Sequence, residues 1–266
     1  MKNNYLLLVS NKTMVEELKE ESNITFLFPV KDFTVGFKEV FSLEEITIPH
    51  AYLFVNRLLD HEEILYFKDF IKQLPSNIEG IVFDDIGVLQ VLNEIENSLT
   101  KILFLNHFNC NYISINSYLE YVDSVVVSTD VTEKEVDEIL LKANKPLVIY
   151  TFGHMNIMYS RRKLITNYNE HFKLNDPSIS VLTNDLGQQF KMVENEYGTV
   201  IYTNLPFNGL RYRNKGNVLF YLVHSIFLDS NDIRDIIHSE DELKEKYPYQ
   251  YLSTEETIVR IKEREQ

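Results

Sequence analysis

Several short stretches of this chain carry residue types that could do chemistry. Asp84 and Asp85 follow an apolar run ending in Phe83, and Gly87 stands two residues further on. Paired carboxylates can divide general-acid and general-base work. Neighbours on a strand point to opposite sides, however, so at most one of the two faces a site at the strand's end. The other reading of the pair is a helix N-cap. The run Asn106-His107-Phe108-Asn109-Cys110-Asn111 is rich in amide donors and acceptors. Cys110 is a nucleophile by type, but no sequence neighbour is an obvious base, and an inert small side chain is the simpler reading. Ser128-Thr129-Asp130 forms a third polar strand end, with helix capping again the alternative.

The most informative segment is Phe152-Gly153-His154-Met155-Asn156-Ile157-Met158-Tyr159-Ser160-Arg161-Arg162-Lys163, in which three consecutive cations follow a glycine and a mixed run. A second basic run, Arg211-Tyr212-Arg213-Asn214-Lys215-Gly216, lies further on, and together the two hold four of the eight arginines. Arginine suits forked recognition of phosphate or carboxylate, so an anion site at Arg161 or Arg162 is expected. A surface ion pair is the competing reading.

Other chemistries have no footing. His61-Glu62-Glu63-Ile64-Leu65 begins like a zinc-protease helix but has leucine where the second histidine ligand must stand. No glycine pair has the spacing of a phosphate or dinucleotide loop, and no G-x-S-x-G elbow occurs. The seven histidines are scattered with no pair at metal-ligand spacing, so no metal site is expected. One cysteine excludes an internal disulfide and any cluster held by several thiolates of this chain. The formal net charge of −14 repels nucleic acid and anionic lipid, leaving RNA contact only to a local basic patch.

Positioning these residues falls to an alternation of apolar runs and amphipathic segments. The candidate strands are 5–9, 24–28, 51–55, 80–83, 102–105, 124–127, 147–150 and 218–227, with helix-like stretches at 62–74, 86–95, 133–141 and 231–237. In the third of these helices Val136, Ile139 and Leu140 share one face, and Thr132 with Glu135 reads as a capping box. Ser230 with Asp232 is expected to cap the last one. Eight strand–helix units with continuously apolar strands favour an α/β fold, a closed (β/α)8 TIM-type barrel, over an open sheet. In such barrels chemistry gathers at the C-terminal strand ends, and phosphate sites recur after strands seven and eight. Arg161 and Arg162 lie there, whereas Arg211 and Arg213 precede strand eight and are expected at the opposite rim.

Residues 179–204 break the alternation with two short β-like runs around Asn184-Asp185-Leu186-Gly187 and a third after Gly198. They imply a small antiparallel β insert between strands 7 and 8, about residues 176–205, within a single domain spanning 1–266. The tail is acidic and reads as a solvated helical end. Five apolar residues after Asn4 are too few for a signal peptide, and no run reaches the roughly 20 residues of a membrane span, so a cytoplasmic protein is expected.

Three stretches together carry a family resemblance: Val125-Val126-Val127-Ser128-Thr129-Asp130, Val148-Ile149-Tyr150-Thr151-Phe152-Gly153, and Tyr159-Ser160-Arg161-Arg162-Lys163-Leu164-Ile165-Thr166-Asn167-Tyr168. With Asp85 and Gly87, and the corners Leu182-Thr183-Asn184-Asp185 and Tyr197-Gly198-Thr199, the chain from about 78 to 240 resembles the peptidase U32 family. That family comprises collagenase-like peptidases and proteins of tRNA wobble-uridine 5-hydroxylation and oxygen-independent ubiquinone synthesis. The family pattern has cysteines soon after the glycine and after Ser-x-Arg, which hold an iron–sulfur cluster in characterised members. Here those positions are Asn156 and Lys163, and the glutamate expected after Ser-x is Asp130. The resemblance therefore implies a small, cysteine-poor member without a cofactor.

Its expected role is that of a partner of a larger cysteine-bearing relative, reaching tRNA through that complex and no membrane. A collagenase-like peptidase and a barrel binding a small anionic metabolite are the alternatives, and whether the chain is itself an enzyme stays open. The substrate- or anion-binding residues expected are Asp85, Asn106, Asn109, Asp130, Gly153, Tyr159, Ser160, Arg161 and Arg162; no catalytic residue is assigned.

Overall fold

Runs of Val, Ile, Leu and Phe suit strands buried on both faces, and they form the staves of a closed barrel in the computed structural model, which describes residues 4–105, 107–174 and 181–238. In chain order the strands are β1 (Tyr5–Leu8), β2 (Ile24–Pro29), β3 (Ala51–Val55), β4 (Ile78–Phe83), β5 (Thr100–Leu103), β6 (Ser124–Val127), β7 (Leu147–Gly153), β8 (Asn156–Ser160), β9 (Val181–Thr183), β10 (Gln189–Asn195), β11 (Gly198–Thr203), β12 (Phe207–Asn208) and β13 (Val218–His224). The helices are α1 (Lys12–Leu18), α2 (His61–Ile71), α3 (Ile86–Glu94), α4 (Tyr112–Tyr118), α5 (Glu133–Lys142), α6 (Leu164–Phe172) and α7 (Ser230–His238). Strands β1 to β7 pair in parallel with their sequence neighbours, and β13 closes the circle between β7 and β1.

The eight expected strands are the eight staves, with ends shifted by a few residues. Among the described residues, the second and seventh units lack an outer α-helix. A loop with a 3-10 turn at Leu43–Glu45 follows β2, and a 3-10 turn at Leu210–Tyr212 leads from β12 towards β13. Thr132 and Glu135 form the expected capping box of α5. The last helix is capped differently: Asp229 accepts from the backbone of Asn231 and Asp232, and the Asp232 carboxylate returns a bond to the Asp229 N–H. A carboxylate one residue earlier than Ser230 therefore does the capping. None of the described helices is long and apolar enough to cross a membrane. The acidic tail beyond His238 lies outside the described residues, as do residues 175–180 of the insert region.

The barrel interior is aromatic. Tyr52 meets Phe220 edge-on, and Phe54, Phe104, Tyr150 and Phe207 follow one another at ring spacings near 6 Å towards the C-terminal end. Gly80 makes room for Tyr52, since a Cβ there would sit 2.2 Å from its ring.

The insert is a four-stranded antiparallel sheet ordered β8-β11-β10-β9, and its first strand begins soon after β7 ends. The mixed run after Gly153 thus holds a strand, β8, outside the expected bounds of the insert. The turn at Asn184–Gly187 is where it was expected, with the Asn184 side chain accepting from Leu186 and Gln188 and Gly187 at φ 75°. The inner face of this cap carries Val193, Val200 and Tyr202, which bury themselves with Val35 and Ile226 from the loops after β2 and β13. A small second core thus fixes the cap over the C-terminal end of the barrel.

Candidate functional site

Under the cap, the strand ends of β3, β4, β7 and β13 and the inner strands β8 and β11 converge. Phe54, Asn56, Asp84, Phe104, Tyr150, Asn156, Tyr202 and His224 surround a cavity of about 20 Å³, room for one water molecule. Of the two adjacent aspartates, Asp85 is the helix cap: it accepts from the Gly87 N–H at 2.7 Å and from the Leu59 N–H at 3.0 Å. Asp84 lines the cavity, and its Oδ1 is shut off from solvent with no hydrogen-bond partner. Burial, reinforced by the neighbouring Asp85 charge, pushes its carboxyl up to about 7. Such a group can hold or release a proton near neutral pH.

Two histidines flank the same region. His224 ends β13, stacks on Phe37 and accepts the Ile226 N–H at Nδ1. Burial and then the nearby His154 bring its ring down to about 3. His154 follows β7, and its Nδ1 lies 2.8 Å from the carbonyl oxygen of Thr203, to which it donates. Burial takes it down to about 4. Both rings are therefore neutral at ordinary pH. The hydroxyls of Tyr150 and Tyr202 are engaged by carbonyls, those of His154 at 3.1 Å and Gly36 at 3.0 Å. Gly153, at φ 135°, lets β7 pass β13: a Cβ would stand 2.4 Å from the His224 carbonyl oxygen. Register places Gly153 opposite His224, which is what brings two histidines distant in sequence together.

The remaining expected residues are distributed along the rim. Tyr159 is half-buried on the inner side of β8, raised by burial, within the fields of Arg57, Arg161 and Asp84. Ser160 accepts from the Arg162 N–H. Arg161 does not stand free: it pairs with Asp60 at 3.5 Å and Glu63 at 3.8 Å in the first turn of α2. The expected anion site therefore meets carboxylates already facing its first cation, while Arg162 is exposed beside it. Arg211 lies against the first turn of α5, paired with Glu133 at 2.9 Å, rather than at the opposite rim. Asn109 is fully buried and joins β5 to β6 by donating to the Val126 carbonyl and accepting the Ser128 N–H. Asn106 lies outside the described residues.

At that same edge Asp130 accepts from His107 Nδ1 at 2.8 Å, and the Cys110 thiol donates to the His107 carbonyl oxygen. The His107–Asp130 pair joins two neighbouring strand ends that lie 23 residues apart in the chain.

An iron–sulfur cluster, implied by the resemblance, does not fit this donor set. The one thiol of the chain sits at the β5–β6 edge, Asn156 stands at the cavity and Lys163 is exposed before α6. Among the described residues no three His, Cys, Asp or Glu side chains gather as a metal site.

Comparison with known proteins completes the description. No curated protein matches the chain. Two solved structures are similar at low identity. The U32 peptidase Mk0906 shares 14% identity over 84% of this chain and 92% of its own, with a TM-score of 0.46. The spore cortex-lytic enzyme SleL of Bacillus cereus shares 10% over 89% and 74%, with a TM-score of 0.42. The model of peptidase family U32 matches residues 31–176. That match runs from the loop after β2 through α6, includes Asp84, His154 and Tyr159, and spans more than half of the 266 residues. The chain belongs to peptidase family U32.

Proposed function

We propose that this chain is a cluster-free partner subunit, acting with a larger, cysteine-bearing relative in tRNA wobble-uridine hydroxylation. One observation carries this reading: the helix that follows Lys163, and the outer face of the cap sheet beside it, bear an exposed apolar surface. Helix α6 buries none of its residues, and Tyr168 and Phe172 are 50% and 55% exposed. On the outer face of the cap sheet Met158, opposite Ile201, and Leu182, opposite Phe190, are exposed as well. Exposed apolar groups clustered on one element favour a protein partner. The cavity at Asp84 has room for a single water. The acidic surface leaves RNA contact to the partner, and the proposed reaction places the complex in the cytoplasm.

The test is nucleoside mass spectrometry of tRNA from a deletion strain, together with capture of the tagged chain from native lysate. Loss of 5-hydroxyuridine derivatives and recovery of a cysteine-rich U32 relative are expected. Unchanged derivatives remove the proposal.

A second reading, a collagenase-like peptidase, is favoured by one contact, the His107–Asp130 pair beside Cys110. The imidazole is oriented by a carboxylate, and the thiol three residues further on bonds the His107 main-chain carbonyl, so this reading requires the imidazole to turn to the thiol when substrate binds. Gelatin cleavage by the isolated chain that disappears in Cys110→Ala supports this reading, and inactive wild-type protein ends it.

A further inference from the structure

Most cations placed by the fold face carboxylates, as Arg57, Arg161, Arg211 and Lys215 do. The cations around α6 are arranged differently. Arg162 and Lys163 precede the helix and Lys173 follows it, all three exposed. Of the basic residues at this helix, only Arg161 pairs with a carboxylate among the described residues. One acid of the cap sheet reaches the start of α6, but it is spent inward. Glu194 accepts from the Ile165 and Thr166 N–H groups and from the Thr166 and Thr199 hydroxyls. Residues 161–173 thus hold four cations against the single acid Glu170, in a chain with 40 acids and 26 bases.

These cations bracket the exposed aromatics. At 1.5 Å of rise per residue, Lys163 and Lys173 stand roughly 15 Å apart along the axis, and Tyr168 and Phe172, one turn from each other, lie between them. The two rings touch at 4.6 Å with their planes inclined by 49°. They form one joint apolar knob, not the series of separate faces on which successive bases of a nucleic acid stack. An apolar centre with a charged rim is complemented by a surface of the opposite charge. We propose that the α6 face docks a protein surface made of an apolar hollow flanked by carboxylates, which pair with Arg162 and Lys163 at one end and with Lys173 at the other. The inference rests on the partner-subunit reading and adds the partner's chemistry: the cysteine-bearing relative carries this acidic-rimmed patch. Everywhere else the net negative charge of this chain repels such a surface, so the cations set where it lands and in which register.

The experiment recovers the cysteine-bearing relative from native lysate with the tagged full chain, wild type or the triple variant Arg162→Gln, Lys163→Gln, Lys173→Gln. Capture is measured in about 50 mM and about 500 mM sodium chloride, since salt screens exposed pairs, and with and without ribonuclease. In low salt the variant is expected to recover on the order of five-fold less of the relative, and in high salt the two are expected to differ by less than about two-fold. A carbodiimide, which joins amines to carboxylates in contact, is expected to link Lys163 and Lys173 of the wild-type chain to different acidic residues of the relative. That cross-link is read in wild-type protein, so no variant has to fold. Undiminished capture by the variant in low salt, or the absence of lysine–carboxylate links to the recovered relative, overturns this inference and leaves the partner reading standing. Capture that ribonuclease abolishes assigns the cations to RNA and overturns it as well. A wild-type chain that recovers no such relative removes both.

Discussion

The guanidinium of Arg57 lies 3.7 Å from the centre of the Tyr197 ring, stacked between the barrel rim and the corner joining β10 to β11. The same guanidinium donates to the Asp32 carbonyl and pairs with Glu63, and the Tyr197 hydroxyl donates to Asp32 Oδ1 at 2.7 Å. Asp32, at φ 70°, thereby receives the barrel through its carbonyl and the cap through its carboxylate. Arginine's planar fork allows stacking and two directed bonds at once, which a lysine cannot reproduce.

Arg57→Ala is expected to cost about 3 kcal/mol, because removing one partner leaves Glu63 facing a partly buried gap. The loss concentrates in the cap: amide exchange in β10 and β11 speeds up more than in β3. Arg57→Lys restores the charge without the fork and recovers only part of the stability. Equal exchange in wild type and Arg57→Ala would show that the clamp holds nothing.

Gly80→Ala tests the barrel interior. The added methyl meets the Tyr52 ring at 2.2 Å and the Thr100 carbonyl oxygen at 2.8 Å. Overpacking of this kind costs roughly 1–3 kcal/mol, read as a lower midpoint in urea unfolding. Combining it with Tyr52→Leu recovers part of the loss, since the side-chain clash goes and the backbone clash remains.

Which parts of this architecture were legible follows from where their causes sit in the chain. The barrel strands announce themselves because double-sided burial demands unbroken apolar runs, as in Val125–Val127 or Leu147–Tyr150. The β9–β10 turn is equally local, set by Asn184 and Gly187. Helix α6 escaped because its cap is remote: Lys163 gives no side-chain bond, and Glu194, from β10, accepts the Ile165 and Thr166 N–H groups instead.

The site divides in the same way. Strand parity says that only one of Asp84 and Asp85 can face the mouth, and the capping bond to Gly87 decides which. The pairing of Arg161 with α2 and of His107 with Asp130 depends on neighbouring strand ends, which one sequence does not place side by side.

Asp84 gives the fold a pH dependence of defined sign. The folded chain keeps its proton up to about 7, whereas an unfolded aspartate releases it near about 3.9. Between those values the native state binds more protons, so this group's contribution to stability falls as pH rises, by up to about 4 kcal/mol in all. Asp84→Asn removes the ionisation while keeping the shape. The stability difference between variant and wild type, from urea unfolding, is expected to grow in favour of the variant from pH 4 to 7 and then level off. A difference constant across that range contradicts a raised carboxyl.

The exposed aromatics of α6 make the partner reading testable without disturbing the fold. Tyr168 and Phe172 touch each other at a ring spacing of 4.6 Å and bury little against the cap sheet beneath them. Replacing both by serine removes little buried apolar area, and surface changes of this kind usually stay within about 0.5 kcal/mol each. The double variant should therefore melt close to wild type and keep the cap's exchange protection. Co-purification with a cysteine-bearing relative should drop at least ten-fold, because a pair of aromatic anchors at an interface is worth more than about 1.4 kcal/mol. Undiminished capture by the double variant would move the interface off α6, and a collapsed melting temperature would mean that the aromatics support the cap instead.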